Sequence, residues 1–243
     1  MRRNVLAYLF ALLALSAQAD SLSVRQLQAL DSHSGLLCAS ALLYFDPREQ
    51  APDPRLVTAV FHHLTSLETD VLQLGQPPEL VQPLAAMRRL FEQLDGLPRS
   101  DSRRYPELIG SLLEQRQQLR EAADRRLAQS GMAEPFGEQS RTLANLLLDY
   151  QLRHYPLTQK DRWLLPVARL SELDGEVEQR FEQLQSQYPG QLQALTKVRS
   201  SYRFVRPQLQ QDGGAGSGGA EFYLSRAVLD LDELALVSTA PTP

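Results

Sequence analysis

Apolar residues recur at every third or fourth position along most of this chain. Val57, Val60, Phe61, Leu64, Leu67, Val71 and Leu74 form one such stripe, and Leu170, Leu173, Val177, Phe181 and Leu184 form another. That period is helical, and each stripe must be buried against a neighbour. The kind of apolar residue agrees with the spacing: there are 46 Leu against 12 Val and a single Ile. Leu, Gln, Arg, Glu and Ala favour helix, whereas β-branched residues favour strands. An all-α fold is expected. Without a parallel sheet there is neither a dinucleotide crevice nor a strand-to-helix nucleophile elbow.

Proline and glycine divide the chain into helical segments at about 21–45, 54–74, 78–95, 105–130, 137–155, 160–187, 190–210 and 219–236. Pro83 and Pro166 fall near the starts of their helices or kink them. The run from Gly213 to Gly219 reads as a flexible connector. No Lys-Ser/Thr follows it and no strand precedes it, so it is not a phosphate loop. Residues 238–243 read as a disordered tail.

The first nineteen residues read as a signal peptide. Arg2 and Arg3 form a basic start, an apolar run follows from Val5 to Leu15, and Ala17 and Ala19 supply the small residues of a cleavage site before Asp20. The apolar run is about half of the roughly 20 residues that span a bilayer, and no later segment is apolar enough to do so. Cys38 lies too far along the chain to be a lipid-attachment cysteine. Cleavage after Ala19 takes the net charge from −4 to −6. The expected product is periplasmic and not membrane-spanning. An acidic balance argues against nucleic acid as a partner.

A repeat runs through the remainder. Leu64, Leu67, Asp70 and Val71 align with Leu170, Leu173, Glu176 and Val177 at an offset of 106. The same offset pairs Ser34 with Ser140, Leu37 with Leu143, Leu42 with Leu148 and Tyr44 with Tyr150. Val81, Leu84, Met87, Arg88 and Phe91 align with Leu192, Leu195, Val198, Arg199 and Tyr202 at an offset of 111. This reads as a tandem duplication of a four-helix-bundle unit, with repeats at 20–130 and 135–237. The sequence leaves open whether the two form separate bundles or one.

Few residues mark chemistry. His62 and His63 are adjacent, so on a helix they point about 100° apart and do not converge on one metal ion. Cys38, among Leu36, Leu37 and Leu42, suits a small buried hydrophobe, and His33 is offset from it in angle. Asp70 and Glu68, like Asp174, Glu176 and Glu178, read as a solvated helix face. No catalytic residue, metal site or cofactor is expected. Arg141 is the residue singled out for ligand binding: it stands just after Pro135 and Gly137, where a helix start and a guanidinium would act together on an anion. Arg199, with its counterpart Arg88, follows the same reasoning.

The leader, the duplicated helical unit and the stretch Gln139-Ser140-Arg141-Thr142-Leu143-Ala144 resemble the periplasmic helical sensor domain of type IV pilus chemoreceptors and nitrate sensor kinases. That family opens a helix with a Gly-x-Gln-Arg-Met-Leu-Ser-Gln-type stretch. Here Arg141 and Leu143 are kept, Ser140 and Ala144 depart from the pattern, and Ser34-Gly35-Leu36-Leu37-Cys38 of the first repeat lacks the Arg. The transmembrane and signalling parts are also missing. The resemblance implies that Arg141 contacts an anion. The expected function is that of a non-catalytic periplasmic bundle that binds a small anionic ligand, a membrane receptor or both. The alternative is a structural or assembly partner of an envelope complex. An enzyme with an unmarked site in the bundle is the third reading.

Overall fold

The computed structural model describes residues 2–132, 134–210 and 218–238. Residues 211–217, most of the Gly213–Gly219 run, and the end of the tail (239–243) lie outside them, whereas Gly218 and Gly219 already belong to the last helix. The described residues form helices α1 (Arg2–Tyr44), α2 (Pro54–Gln73), α3 (Pro78–Gly96), α4 (Tyr105–Ser130), α5 (Pro135–His154), α6 (Val167–Gln187), α7 (Leu192–Leu209) and α8 (Gly218–Ser238), with 3-10 turns in the α3–α4, α5–α6 and α6–α7 connections. No strand occurs among them. The fold is all-α.

Local chemistry sets most of the boundaries. Asp53 caps α2 by accepting a hydrogen bond from the Arg55 amide, with Pro54 in the first helical position. Gly131 ends α4 at φ 63°, a left-handed conformation that suits glycine. Glu134 accepts from the Phe136 and Gly137 amides and so starts α5. Two boundaries differ from the sequence reading: α1, expected from about 21, begins at Arg2 and runs on without a break at Ala19, and the start of α6 is shifted. The segment expected at 160–187 breaks at Pro166, so that only a 3-10 turn (Lys160–Arg162) precedes it and α6 begins at Val167. Proline disfavours helix in the residue before it, which makes Pro166 a start rather than an interior position.

Two helices form the centre. On α1 every residue from Leu30 to Leu42 is buried, and α5 is buried on nearly all sides. The others show one apolar stripe each, such as Val60, Leu64, Leu67 and Val71 on α2 or Leu80, Leu84, Met87, Phe91 and Leu94 on α3. Helices α2, α4 and α8 lie antiparallel to α1. Helices α6, α7 and α8 pack on the α5 side. One apolar core, containing Leu36, Phe91, Leu112, Leu147, Phe181, Leu195 and Leu231, runs through both halves without a break. The two halves therefore share one bundle core.

Helices α1 and α5 run parallel. Gln28 donates to the Glu134 carbonyl (3.1 Å), Arg48 to the His154 carbonyl (2.6 Å) and the Tyr155 hydroxyl to the Phe45 carbonyl (3.0 Å). Gln28 and Glu134 are 106 residues apart, as are Arg48 and His154, the same separation at which the two apolar stripes align in sequence. At Gly35 the two helices are close enough that a Cβ there would stand 3.4 Å from that of Ala144. The packing order also recurs. In each half the first helix packs on the second and fourth, and the third packs on the fourth.

Candidate functional site

The long buried run of α1 contains Asp31, whose side chain is 1% exposed. A carboxylate in such a place needs donors from elsewhere. Arg116 of α4 reaches Oδ1 at 2.8 Å. Arg141 Nε and the Asn145 amide, both on α5, reach Oδ2 at 3.0 and 3.2 Å. Burial acts to raise the Asp31 pKa, but the combined pull of Arg116, Arg120 and Arg141 prevails and holds it below the ordinary value of 3.8. The cluster ties α1, α4 and α5 together with charge-assisted bonds.

From this cluster a cleft of 310 Å³ opens between α1, α4, α5 and α6, lined by Asp31, Arg120, Arg141, Asn145, Arg169 and Arg180 among others. The four guanidiniums are not equivalent. Arg141 is clamped by Asp31 and by Asp124 Oδ1 at 2.5 Å. Arg169 is paired with Glu172 and Glu176. Arg180 instead donates one amino group to two neutral oxygens, Gln139 Oε1 (2.9 Å) and Thr142 Oγ1 (3.3 Å). Its nearest carboxylate is Glu138, 3.9 Å from Nε. Arg120 stands 3.6 and 3.7 Å from Asp31 and Asp124, beyond hydrogen-bond reach. The cleft thus holds two cations with donor capacity left over.

This placement revises the argument for Arg141. It is the seventh residue of α5, one turn past the free amides at the helix start, and those amides are served in part by Glu134. The dipole and the guanidinium therefore do not act on one spot. Arg141 does line the cleft, in a positioning place between Asp31 and Asp124. Arg199 is elsewhere. Its donors are taken by Glu178 (2.9 and 2.6 Å), Glu182 (2.9 Å) and Gln185 (3.0 Å), so it braces α7 on α6. Arg88, its counterpart, braces α3 on α2 through Glu68 in the same manner.

The remaining marked residues are separated by burial. Cys38 is wholly buried, and burial pushes its thiol up to about 12, far from a reactive thiolate. His62 is exposed and His63 buried. His63 Nδ1 meets Nδ1 of His33 at 2.9 Å. Burial, with a contribution from His62, holds His33 at about 4; burial also holds His63 well below the usual value, so both rings are neutral at neutral pH. Among the described residues no group of three or more His, Cys, Asp or Glu side chains is placed to hold a metal ion. Nor is any helix there long and apolar enough to cross a membrane.

Asp31, Arg120 and Arg180 were not marked by any motif. The available signal was Asp31-Ser32-His33-Ser34 inside an otherwise apolar run. Polar residues enclosed by Leu on both sides are what a helix wrapped all round by protein shows. Comparison with family models, curated proteins and solved structures found no match for this chain.

Proposed function

We propose that this is an exported, non-catalytic helical-bundle protein that binds a small oxyanion, a carboxylate in the first instance, in the cleft between α1, α4, α5 and α6. The observation that carries the reading is Arg180: among the described residues its Nε and one amino group make no hydrogen bond, and its bonded amino group is held by uncharged oxygens. A guanidinium fixed in that way presents a two-donor fork to a ligand. Arg120 adds charge from the opposite wall, and Arg141 keeps Asp31 and Asp124 in place. The likeness to periplasmic sensor domains, in which the Arg matching Arg141 touches the anion, supports the same cleft. A tandemly duplicated origin of the two halves is consistent with the shared offset of sequence and packing. In a sensing role, a membrane receptor or another envelope protein would read the ligand-bound state.

A fork of charged donors sustains roughly micromolar to millimolar affinity. Thermal-shift titration of the exported protein, whose intact mass should begin at Asp20, is expected to show stabilisation by small carboxylates or other oxyanions. Arg180→Gln should abolish the shift, Arg141→Ala should weaken it together with the fold, and Arg226→Ala on the far side of α8 should keep it. If no anion shifts the wild-type protein, the reading fails. The assembly-partner reading would then take its place, favoured by the exposed rings Phe204 and Phe222 gathered around Tyr223.

A further inference from the structure

A second cavity, of 400 Å³, opens at the end of the bundle where α1, α2 and α8 meet the start of α5. It shares no lining residue with the arginine cleft except through the helices themselves. The α2 side of its wall presents hydrogen-bond acceptors, whereas Arg25, Gln26 and Gln73 bring donors at the α1 and α2 rim. Thr65, Ser66 and Thr69 of α2 each donate their hydroxyl proton to the carbonyl four residues back, at 3.0, 3.1 and 2.9 Å. What remains to them is lone pairs.

Two carboxyl groups stand among these hydroxyls without a cation in bonding distance. The side chain of Asp70, one turn beyond Ser66, has no hydrogen bond or ion pair among the described residues. Asp232 of α8 accepts from Ser140 through Oδ1 (2.7 Å), but Oδ2 is fully buried with no hydrogen-bond partner. The nearest basic group to Oδ2 is Nε2 of His33 at 3.8 Å, and the other histidine on the wall, His62, is exposed. Glu134 faces Arg25, whose positive charge favours and offsets its ionised form, and is otherwise engaged by two backbone amides. Arg25 also donates to the Ala235 carbonyl. Once that pair is set aside, Asp70 and Asp232 are left as two carboxyl groups with no counter-charge in bonding distance. Leu22, Ala29 and Leu236 supply an apolar part of the wall.

We propose that this cavity is a binding site for a small organic amine, with its ammonium group between Asp70 and Asp232 and its alkyl stem against Leu22, Ala29 and Leu236. An ammonium group has donors and no acceptors, which is the complement of the α2 hydroxyls and the two carboxyl groups. A cavity of this size accommodates a short alkyl diamine. Burial raises both Asp70 and Asp232 to about 7, so an amine competes with protons for them. Glu134, His33, His62 and Arg25 are the other titratable or charged groups that face the site.

Isothermal titration of the full chain with butylamine, putrescine, butanol and butyrate tests the assignment. The amines should bind, and more tightly at pH 8 than at pH 6. Butanol and butyrate should not bind. Asp70→Asn and Asp232→Asn should each weaken amine binding by about tenfold or more, while Arg180→Gln leaves it unchanged, which separates this site from the anion cleft. The amide of Asn has the size of the carboxyl it replaces, and Asp70 has no partner to lose, so circular dichroism should show that variant folded. Equal binding of butanol and butylamine, no amine binding at pH 8, or unchanged affinity in a folded Asp70→Asn would overturn the proposal. Tighter binding of N-acetyl-lysine amide than of putrescine would overturn the free amine as ligand in favour of a protein-borne lysine.

Discussion

An aspartate placed on a helix that is covered on all sides must find its counter-charges far away in the chain. Asp31 finds them at Arg116, 85 residues on, and at Arg141, 110 residues on. Such partners are invisible to local pattern reading, because nothing near Asp31 or Arg141 in sequence refers to the other. Arg141 was legible as a residue of interest only through its place near a helix start, and that place proved to be one turn off. Removal of the carboxylate in Asp31→Ala leaves Arg116 buried and unpaired on that side. The expected loss is about 3–5 kcal/mol of unfolding free energy, measured by urea denaturation at pH 7. Because the folded-state pKa of Asp31 is lowered, its stabilisation is present above the unfolded value near 3.8 and lost as pH falls through the folded value. Wild type should therefore lose stability in strong acid more steeply than the variant.

At the scale of elements, the helix ends were easy to read and the helix roles were not. Proline and glycine act on their own backbone, so Pro54, Pro78, Gly131 and Pro135 mark boundaries wherever the chain goes. Which helix lies in the middle depends on everything packed around it. An outer helix such as α2 declares its inward face by a stripe. The central α1 has apolar residues on all sides with polar ones among them, a weaker pattern that resembles an ordinary segment. The close passage of α1 and α5 rests on two small residues, Gly35 and Ala144. A Cβ at position 35 would sit 3.4 Å from Ala144 Cβ and 3.5 Å from the Arg116 guanidinium. Gly35→Ala should fall within about 1 kcal/mol of wild type, since contact tightness opposes the gain in helix propensity. Gly35→Leu should lose about 1–3 kcal/mol or more, because the extra atoms have to move α5 or Arg116. Thermal melts of the pair test this directly; equal melting temperatures would mean that the helices are not in close contact there.

For the whole molecule, one core spanning both halves predicts one unfolding event. Residues 20–132 and 134–238 produced separately each expose the face that α1 or α5 turns to the other, and neither should show a cooperative melt. Produced together, they should form a one-to-one complex with the helical circular dichroism of the intact chain; two independent melts from the separate pieces would contradict this. The parallel seam also decides which halves can pair. In a two-fold dimer, residues beside the axis meet their own copies, and Gln28 beside Glu134 or Arg48 beside His154 is that arrangement within a single chain. At the repeat offset, Asp31 corresponds to Gly137 and Arg141 to Gly35. The seam therefore carries an ion pair on one side and two glycines in the matching places on the other. Two copies of the first half would set Asp31 against Gly35 twice, two buried acids with no base from across the join. Two copies of the second would leave Arg141 without Asp31. Each half is thus marked as the left or right hand of the pair, so a first half accepts a second half and not another copy of itself.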